Sequence, residues 1–423
     1  MKVIILGAGL IGVSSAYFLR KLGHEVTVID RQPSSGLETS YANGGQISVC
    51  YSEPWSSFSN LKKMIHWMGK EDSPILFRPH FNKHQMSWGM KFLHECLPSR
   101  NQQNIRDMLK LALFSRETLQ NLRKEENLTY NEQTNGILTF YTSESGFQHG
   151  IESAKFMSQF GCERLIKNAQ ETLEIEPALK NSTLPIFGSD YSPDDESGDA
   201  LIYTQKLTEI CQKMGVEFLF DHDIVELTTS NNGKINSVVL KNRLTQHGYS
   251  MSSDNFVVAL GAYSYPIAKK VGIDLPIYPA KGYSATVTIT DPQLVNSVSL
   301  TDMDTKTVYT RIGNELRIAG TAEFNGFDLT LNQKRCDALI TRVRKILPDG
   351  LDYDNAKFWT GLRPATPGNV PIIERTKKYD NLYINAGHGT LGWTMASGSG
   401  KLLAQIMDKN SCFKLVFGTT RNR

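Results

Sequence analysis

The chain has 423 residues, of which 40% are hydrophobic and 21% are charged. This composition is normal for a soluble globular protein, and a chain of this length usually folds into two domains. Because 46 basic residues nearly balance 43 acidic residues, the formal charge gives no electrostatic reason to expect nucleic acid as a partner.

The cysteines and histidines do not form a metal-binding pattern. The six cysteines are scattered without a C-x-x-C pair, which fits a reducing compartment. His80 and His84 are four residues apart, but no Glu lies between them, and Pro79 and Asn82 argue against a helix there. We therefore expect no metal site.

The sequence also bears on location. It contains no run of 18 apolar residues, so we expect no membrane-spanning helix. The first predicted strand begins at residue 2 or 3, which leaves no room for a signal peptide. We therefore expect a cytoplasmic protein.

The first motif is a glycine-rich turn between a predicted strand and a predicted helix. Lys2 to Leu6 is short, apolar and β-branched, which is typical of a buried strand. Gly7, Gly9 and Gly12 follow with the spacing G-x-G-x-x-G, and Ile11 to Leu22 has apolar residues at helical intervals. Such glycines allow a tight turn, the approach of backbone N–H groups to a pyrophosphate, and close packing of the helix on the strand.

The residues after this helix support dinucleotide binding. Glu25 to Ile29 predicts a second strand, and Asp30 follows it, where a carboxylate can accept hydrogen bonds from a ribose 2′-OH and disfavours NADP. The motif does not separate NAD from FAD, and a glycine-rich turn in another kind of α/β domain is the alternative. Arg31 to Gln46 is long, polar and rich in Ser and Gly, which suits close backbone contact with a large ligand.

The middle of the chain predicts a return to the nucleotide-binding sheet. Ala200 to Met214 has a helical pattern, and Val216 to Phe220 and Ile224 to Leu227 have strand patterns. Asn255 to Tyr263 predicts a buried strand whose small final residues either pass near a cofactor or simply end a core strand. Asn101 to Asn127 predicts a long core-packing helix.

Arg363 is a candidate for substrate recognition. It lies in WTGLRPATPGNVP, between Gly361 and two prolines. A rigid backbone would hold its guanidinium for bidentate recognition of a carboxylate, whereas an exposed arginine in a turn is the alternative.

A second glycine-rich turn lies in NAGHGTLGWTMASGSG, residues 385–400. A predicted strand, Leu382 to Asn385, enters this turn, and a helix starts near Thr390. Its N-terminus would attract negative charge, and we favour its backbone donors over the His388 imidazole. Two such turns at opposite ends of one chain suggest one extended ligand, and FAD is long enough.

Together these segments resemble the D-amino-acid oxidase superfamily of flavoproteins. The matching blocks are GAGLIG, ETSYANGGQIS, PAKGYS, GLRPATP and GHGTLGWTMASGSG, which occur in order along essentially the whole chain. The resemblance implies an α/β fold in which a Rossmann-type FAD-binding domain is interleaved with an α+β substrate domain built on a mixed, largely antiparallel sheet. We expect the FAD-binding domain at 1–55, 185–267 and 359–423, and the substrate domain at 56–184 and 268–358.

The resemblance also implies roles for individual residues. Arg363 falls on the arginine that pairs with the substrate carboxylate, and Tyr309 falls near a tyrosine whose hydroxyl supports that carboxylate. Residues 43–46 look like the loop beside the flavin ring, and the backbone of Ile224 matches a position that meets the adenine. The residues expected to bind FAD are Gly7, Gly9, Leu10, Ile11, Gly12, Asp30, Arg31, Ser40, Asn43, Gly44, Gly45, Gln46, Ile224, Gly261, Gly361, Gly387, His388, Gly389, Thr390, Leu391 and Gly392.

The implied reaction is FAD-dependent oxidative deamination of D-amino acids to 2-oxo acids and ammonia. Hydride would pass from Cα to flavin N5, and the electrons would pass to a quinone or another respiratory-chain acceptor. No cysteine lies between Arg363 and Gly400, so the resemblance implies non-covalent FAD. Tyr51, Glu53 and Tyr283 lie near the motifs and are further candidates to line the substrate pocket.

Two alternatives stay open. One is an oxidase that uses O2 to oxidise glycine, sarcosine or other small secondary amines, including D-proline-like imino acids. The other is a flavin-binding electron-transfer subunit without a substrate pocket of its own.

Residues 55–88 combine aromatic and basic side chains, namely Trp55, Trp67, Phe77, Phe81 and Trp88 with Lys62, Lys63, Lys70, Arg78 and Lys83. Such a mixture is typical of a segment at a membrane interface, and the resemblance adds to this because such dehydrogenases pass electrons to a membrane chain. We therefore expect either a peripheral contact with the inner face of the cytoplasmic membrane or ordinary packing against the substrate domain.

Overall fold

The structure is a computed structural model, and it describes residues 1–408 except residues 59, 62, 63, 65–69, 72, 81 and 231. The α-helices with described bounds are α1 (Leu10–Lys21), α2 (Lys83–Glu95), α3 (Pro98–Glu126), α4 (Glu144–Ser158), α5 (Ala169–Ile175), α6 (Ala200–Lys213), α7 (Ser264–Lys270), α8 (Gln333–Ile346) and α9 (Gly392–Met407). Short 3-10 helices span Pro177–Asn181, Gly261–Tyr263 and Gly389–Leu391.

The strands are numbered in chain order. They are β1 (Lys2–Leu6), β2 (Glu25–Ile29), β3 (Gln46–Ile47), β4 (Ile75–Phe77), β5 (Ile137–Tyr141), β6 (Leu165–Asn168), β7 (Gly188–Ser192), β8 (Glu196–Ser197), β9 (Glu217–Leu219), β10 (His222–Thr229), β11 (Ile235–Asn242), β12 (Gly248–Met251), β13 (Asn255–Val258), β14 (Tyr278–Ile289), β15 (Ser299–Asp302), β16 (Thr307–Ile312), β17 (Glu315–Phe324), β18 (Leu351–Ala365), β19 (Ile372–Arg375) and β20 (Leu382–Ala386).

The first sheet has the strand order β19-β20-β13-β1-β2-β9. Its neighbours pair in parallel except β19 and β20, which are antiparallel. Parallel strands bring their carboxyl ends to one edge of a sheet, so Gly7 after β1, Asp30 after β2, Gly261 after β13 and Gly387 after β20 lie along the same edge. The sheet thus brings both glycine-rich turns and the acidic residue to one edge.

The second sheet has the order β18-β14-β17-β16-β15-β5-β7-β6, and β4 also pairs with β17. Among the described strands, the pairs β5–β15 and β4–β17 are parallel and the other pairs are antiparallel. Helix α8 buries Cys336, Leu339 and Val343 in the same cluster as Tyr309 and Ile318 of the sheet. The architecture confirms the predicted α/β fold with a mixed, largely antiparallel second sheet.

The elements around the motifs lie close to their predicted places, with one correction. The helix after the first turn spans Leu10–Lys21 instead of Ile11 to Leu22, and the long predicted helix spans Pro98–Glu126. The segment predicted as a short strand of the nucleotide-binding sheet at 224–227 is longer and lies elsewhere. It is β10, which pairs with β11 in a separate three-stranded sheet, whereas β9 does return to β2.

Two segments pack with the domain other than the one to which the prediction assigned them. Strand β7 falls within 185–267 but pairs with β5 and β6 in the second sheet. Helix α3 falls within 56–184, yet its Met108 and Leu109 share a hydrophobic cluster with Val13 of α1 and Met395 of α9. Elsewhere the boundaries stay a prediction.

Small residues bring α9 close to α1 and α3. A Cβ atom on Gly398 would lie 2.7 Å from Ser115 Cα, and one on Gly400 would lie 2.6 Å from the carbonyl carbon of Ser14. The Gly398 N–H also donates to the Ser115 hydroxyl at 3.0 Å. Together these contacts fix α9, and with it the second glycine-rich turn, relative to α1 and α3.

We expect Gly398→Ala to lower the free energy of unfolding by about 1–3 kcal/mol, because the added methyl group overpacks the contact with Ser115. Gly89→Ala on α2 is the matched control, since a Cβ atom there meets nothing within 4 Å and alanine favours the helix. Chemical denaturation measures both variants, and equal effects on stability would contradict the close packing of α9.

Candidate active site

A cavity of about 1200 Å³ lies between the carboxyl edge of the first sheet and strands β14, β17 and β18 of the second. It exceeds the usual 300–1000 Å³ of small-molecule pockets, so an extended ligand fits. Of the residues predicted to bind the cofactor, those that line the cavity are Gly7, Gly9, Leu10, Ile11, Asp30, Arg31, Ser40, Asn43, Gly44, Gly45, Gln46, Ile224, Gly261, Gly361, His388, Gly389, Thr390, Leu391 and Gly392. Gly12 and Gly387 are not among its lining residues.

The first turn requires glycine at two positions. Gly7 has φ +108°, and a Cβ atom there would lie 2.5 Å from the Ala259 carbonyl oxygen. A Cβ atom on Gly12 would lie 1.8 Å from the Gly7 carbonyl oxygen, so Gly12 permits the close approach of α1 to β1. At Gly9, by contrast, a Cβ atom would have only Ser40 Oγ nearby, at 3.6 Å. Gly9 therefore leaves the start of α1 open to the cavity.

Asp30 is held by the backbone around this turn. Its Oδ2 accepts from the Ala8 N–H at 2.7 Å and its Oδ1 accepts from the Gln32 N–H at 2.8 Å. Burial raises the pKa of Asp30, while these two hydrogen bonds act in the opposite direction. Each carboxylate oxygen keeps a second lone pair, so a ribose hydroxyl remains an available donor.

Two residues not predicted for the site hold Arg31 at this end of the cavity. Its Nε lies 2.5 Å from Glu38 Oε1, and its guanidinium lies 4.1 Å from the centre of the Tyr263 ring. Glu38 and Tyr263 also line the cavity, as does Ile224. The contact with Tyr263 had no local sequence signal, because Tyr263 is remote from Arg31 in the chain, whereas Glu38 lies only 7 residues after Arg31.

The loop at 43–46 is fixed against the second sheet. The Thr310 hydroxyl donates to the Gly44 carbonyl at 2.7 Å, and a Cβ atom on Gly44 would lie 2.7 Å from Val308 Cγ2. The Gln46 side-chain amide donates to Ser299 Oγ at 3.0 Å. The Gln46 side-chain amide is thus hydrogen-bonded to strand β15, although the residue also lines the cavity.

The second turn places the N-terminus of α9 beside the cavity. The N-cap residue of this helix gives no side-chain cap, and its first turn has no acid; the same is true of α1, where the Leu10 N–H instead donates to the Ser40 hydroxyl at 3.2 Å. His388 is buried, and its Nε2 lies 2.9 Å from Ser399 Oγ. Burial lowers the pKa of His388 to about 3, so the imidazole is neutral near pH 7. Its contact with Ser399 holds the ring in position.

Arg363 presents a cation to the cavity. Its Nη1 donates to the Thr321 carbonyl at 2.7 Å, and no carboxylate among the described residues forms an ion pair with it. A Cβ atom on Gly282 would lie 2.5 Å from Arg363 Cζ, so Gly282 makes the space for the guanidinium. Burial lowers the pKa of Arg363 to about 10, which leaves it protonated at pH 7. The arrangement suits an anionic ligand such as a carboxylate.

The structure does not bring Tyr309 to this site, which corrects the prediction. Its side chain is fully buried in the cluster beneath α8, outside the residues that line the cavity. The reason is the alternation of side chains along a strand: Val308 and Thr310 contact the 44–45 loop, so Tyr309 points to the opposite face. Three other predicted pocket residues, Tyr51, Glu53 and Tyr283, do line the cavity.

Neither a metal-binding cluster nor a membrane-spanning helix occurs in the part of the chain that the structure describes. It holds no group of three side chains suited to a metal ion. His80 lies 2.9 Å from Asn325 Oδ1, whereas His84 stacks on Tyr265. No described helix combines the length and apolar character needed to cross a bilayer.

Comparisons with known proteins identify the family of the chain. Residues 2–406 match the family model DAO, described as FAD dependent oxidoreductase. The chain is 46% identical over 411 residues to a D-amino acid dehydrogenase of Dechloromonas aromatica, covering 96% of this chain and 97% of that protein. It is 42% identical over 408 residues to the one of Paramagnetospirillum magneticum, covering 96% and 95%. An L-proline dehydrogenase from P. horikoshii shares the fold, with a TM-score of 0.74 and 18% identity over 98% of this chain and 95% of that chain.

We expect His388 to make stability depend on pH. Its pKa is about 3 in the folded chain, against an ordinary value of 6.5, so between these values the unfolded chain binds a proton that the folded chain does not. Stability is therefore lost as the pH falls, by about 2 kcal/mol from pH 7 to pH 5.

Denaturation of wild type and His388→Asn at both pH values tests this. The variant should lose about 2 kcal/mol less on acidification, whereas His149→Asn, at an exposed histidine, should behave as wild type. The same loss in wild type and His388→Asn would contradict the buried neutral imidazole.

Proposed function

The chain belongs to the DAO family of FAD dependent oxidoreductases, and we propose that it is a D-amino acid dehydrogenase. It oxidises the Cα–N bond of a D-amino acid to an imine, which water converts to a 2-oxo acid and ammonia. The observation that carries the proposal is the Arg363 guanidinium, which lines the cavity without a carboxylate partner among the described residues. The dehydrogenase relatives support the D configuration of the substrate.

The residues around the cavity fit FAD. Gly9 leaves the start of α1 open, and a Cβ atom on Gly261 would meet nothing within 4 Å, so backbone can approach a ligand closely at both places. In the proposed arrangement the first turn would hold the pyrophosphate, Asp30 would accept from a ribose hydroxyl, and the N-terminus of α9 would supply partial positive charge to the flavin. Bound FAD supplies the acceptor for the hydride from substrate Cα. No described cysteine lines the cavity, which supports non-covalent binding.

Arg363 binds and orients the substrate in this proposal. A carboxylate that pairs with it in a low-dielectric site is held in a fixed geometry, and this orients Cα–H for transfer. No acid–base pair is required from the chain once the substrate amine is neutral. His388 does not supply one, because its Nε2 faces Ser399 and its pKa is about 3.

The two alternative functions have less support. The similar curated relatives are dehydrogenases of D-amino acids, which favours this reaction over an oxidase of glycine or sarcosine that uses O2. Arg363 in a large cavity argues against an electron-transfer subunit that has no substrate pocket. We therefore retain the dehydrogenase as the single proposed function.

We further propose a quinone or another respiratory-chain component as acceptor, with a peripheral membrane contact through α2. This helix exposes Met86 by 57%, Met90 by 67% and Leu93 by 53%, and Lys83 and Lys91 are exposed on it as well. Apolar side chains beside basic residues suit the interface of an anionic bilayer.

The aromatic residues of the predicted interfacial segment contribute little to this contact. Trp88 is buried, and its indole N–H donates to the Ala365 carbonyl at 2.8 Å. Phe77 packs against Phe324. Both contacts fit the alternative in which this segment packs within the protein. Trp55 lines the cavity. Trp67, Phe81, Lys62 and Lys63 lie outside the described residues.

Met90→Glu tests the membrane contact. Because it places a charge in the centre of the apolar stripe, we expect co-sedimentation with vesicles of anionic phospholipid to fall severalfold. Leu244→Glu is the control, since Leu244 is 77% exposed on a loop away from α2. Equal binding of wild type and Met90→Glu to the vesicles would show that α2 does not make the membrane contact.

The reaction is tested by anaerobic bleaching of the flavin with a panel of D- and L-amino acids. We expect bleaching by D-amino acids, and slow or no peroxide formation when O2 is the only acceptor. Rapid peroxide formation would favour the oxidase, and a flavin that no amino acid bleaches would favour the electron-transfer subunit.

Arg363→Lys tests the carboxylate site. Lysine keeps the charge but loses the fork geometry, so we expect KM for a D-amino acid to rise about 100-fold, near the lower limit for a disrupted buried pair, while FAD stays bound. Arg375→Lys, at an exposed arginine, should leave KM unchanged. Unchanged kinetics in Arg363→Lys would place the substrate carboxylate elsewhere.

A further inference from the structure

Thr321 has a backbone conformation that threonine rarely adopts. Its φ is +52°, in the left-handed region where a β-branched residue is strained and where glycine is the usual choice. Such strain persists only where the surrounding structure imposes it, and it concentrates at functional sites. Because glycine would adopt this conformation without strain, the threonine side chain needs an explanation.

The sheet imposes this conformation on Thr321. Strands β14 and β17 pair at Lys281–Glu323 and at Tyr283–Gly320, so Thr321 and Ala322 lie opposite the single residue Gly282 in a β-bulge. On its other edge β17 pairs with β16 as far as Ala319 and with β4 from Ala322 onwards. Thr321 lies where the two partners change, and a bulge at such a point redirects a residue out of the ladder.

This position places Thr321 next to the substrate-binding cation. Its carbonyl accepts from Arg363 Nη1 at 2.7 Å, and the residue lines the cavity together with Arg363 and Gly282. Its hydroxyl oxygen is buried and has no hydrogen-bond partner among the residues that the structure describes. A buried hydroxyl without a partner is unfavourable, so a ligand group that accepts from it would satisfy it.

We propose that Thr321 is a substrate-binding residue, whose hydroxyl donates to the carboxylate of the amino acid that Arg363 holds. The inference rests on the proposed function. Rotation about the Cα–Cβ bond of threonine exchanges its hydroxyl and methyl positions, so the side chain of this cavity-lining residue can turn its hydroxyl towards a bound ligand while the backbone stays in place. A carboxylate has lone pairs for the guanidinium and for a hydroxyl together. Thr321 thus adds a neutral donor beside the charged one.

The test uses the FAD-loaded full chain and two readouts. Benzoate, a carboxylate with no amine to oxidise, is titrated against the flavin absorbance spectrum, and D-alanine is assayed with an artificial electron acceptor. Thr321→Val removes the hydroxyl at nearly constant shape, so we expect the Kd for benzoate and the KM for D-alanine to rise about 10- to 100-fold, as for a lost hydrogen bond to a charged group, with kcat changed much less. Thr321→Ser retains the hydroxyl and should remain within about twofold of wild type.

Two further variants separate the hydroxyl from the backbone. Thr321→Gly relieves the strain but lacks the hydroxyl, so we expect it to fold well and to bind benzoate as weakly as Thr321→Val. Thr360→Val, on the strand of Arg363, loses a hydrogen bond to the Leu329 carbonyl outside the cavity and should bind benzoate as wild type does. Wild-type affinity in Thr321→Gly or Thr321→Val would overturn the proposed role of the hydroxyl. If wild type neither binds benzoate nor is bleached by D-alanine, the proposed function fails together with this inference.

Discussion

The site depends on a guanidinium that the chain itself leaves without an anionic partner. Removing a cation from water costs several kcal/mol unless it is paired, and the described residues give Arg363 one carbonyl acceptor and no carboxylate. Burial accordingly lowers its pKa. Gly282 supplies the space for the guanidinium, since a side chain there would overlap it. The fold therefore holds an unpaired cation that an anionic ligand can stabilise. A small molecule with a carboxylate group is such a ligand.

The two glycine-rich turns reflect a second constraint, the close approach of helices to the first sheet. Each turn ends a strand and leads into a helix whose N-cap residue gives no side-chain cap and whose first turn has no acid. Gly12 allows α1 to approach β1, and Gly398 and Gly400 allow α9 to approach α3 and α1. Both helix N-termini consequently lie beside one cavity, where their partial positive charges favour an anionic cofactor.

Local sequence patterns predicted most of the strands, turns and helices around the site. Contacts between residues that are remote in the chain decided the features that the sequence did not predict. The strand–turn–helix units at 2–21 and 382–407 and the role of Gly12 in packing follow from residues that are adjacent in the chain. Tyr309 was misplaced because the face of a strand reverses with each residue, and the motif match was too loose to fix the register. The position of α3 depends on Gly398, which is remote in sequence. A left-handed threonine at 321 has no sequence signal, because it arises from a bulge in the pairing of β14 and β17.

The placement of β1 between β2 and β13 has a consequence for synthesis of the chain on the ribosome. Strand β1 is complete at residue 6, but its partner β13 begins at residue 255 and β20, on the far side of β13, begins at residue 382. At a typical 5–20 residues per second, about 20–75 s separate the emergence of β1 from that of β20. The nascent strand β1 can pair early with β2, but it lacks its second parallel neighbour, β13, until residue 258 is made. The second glycine-rich turn follows β20, so cofactor loading is confined to the last stage of translation or to the released polypeptide.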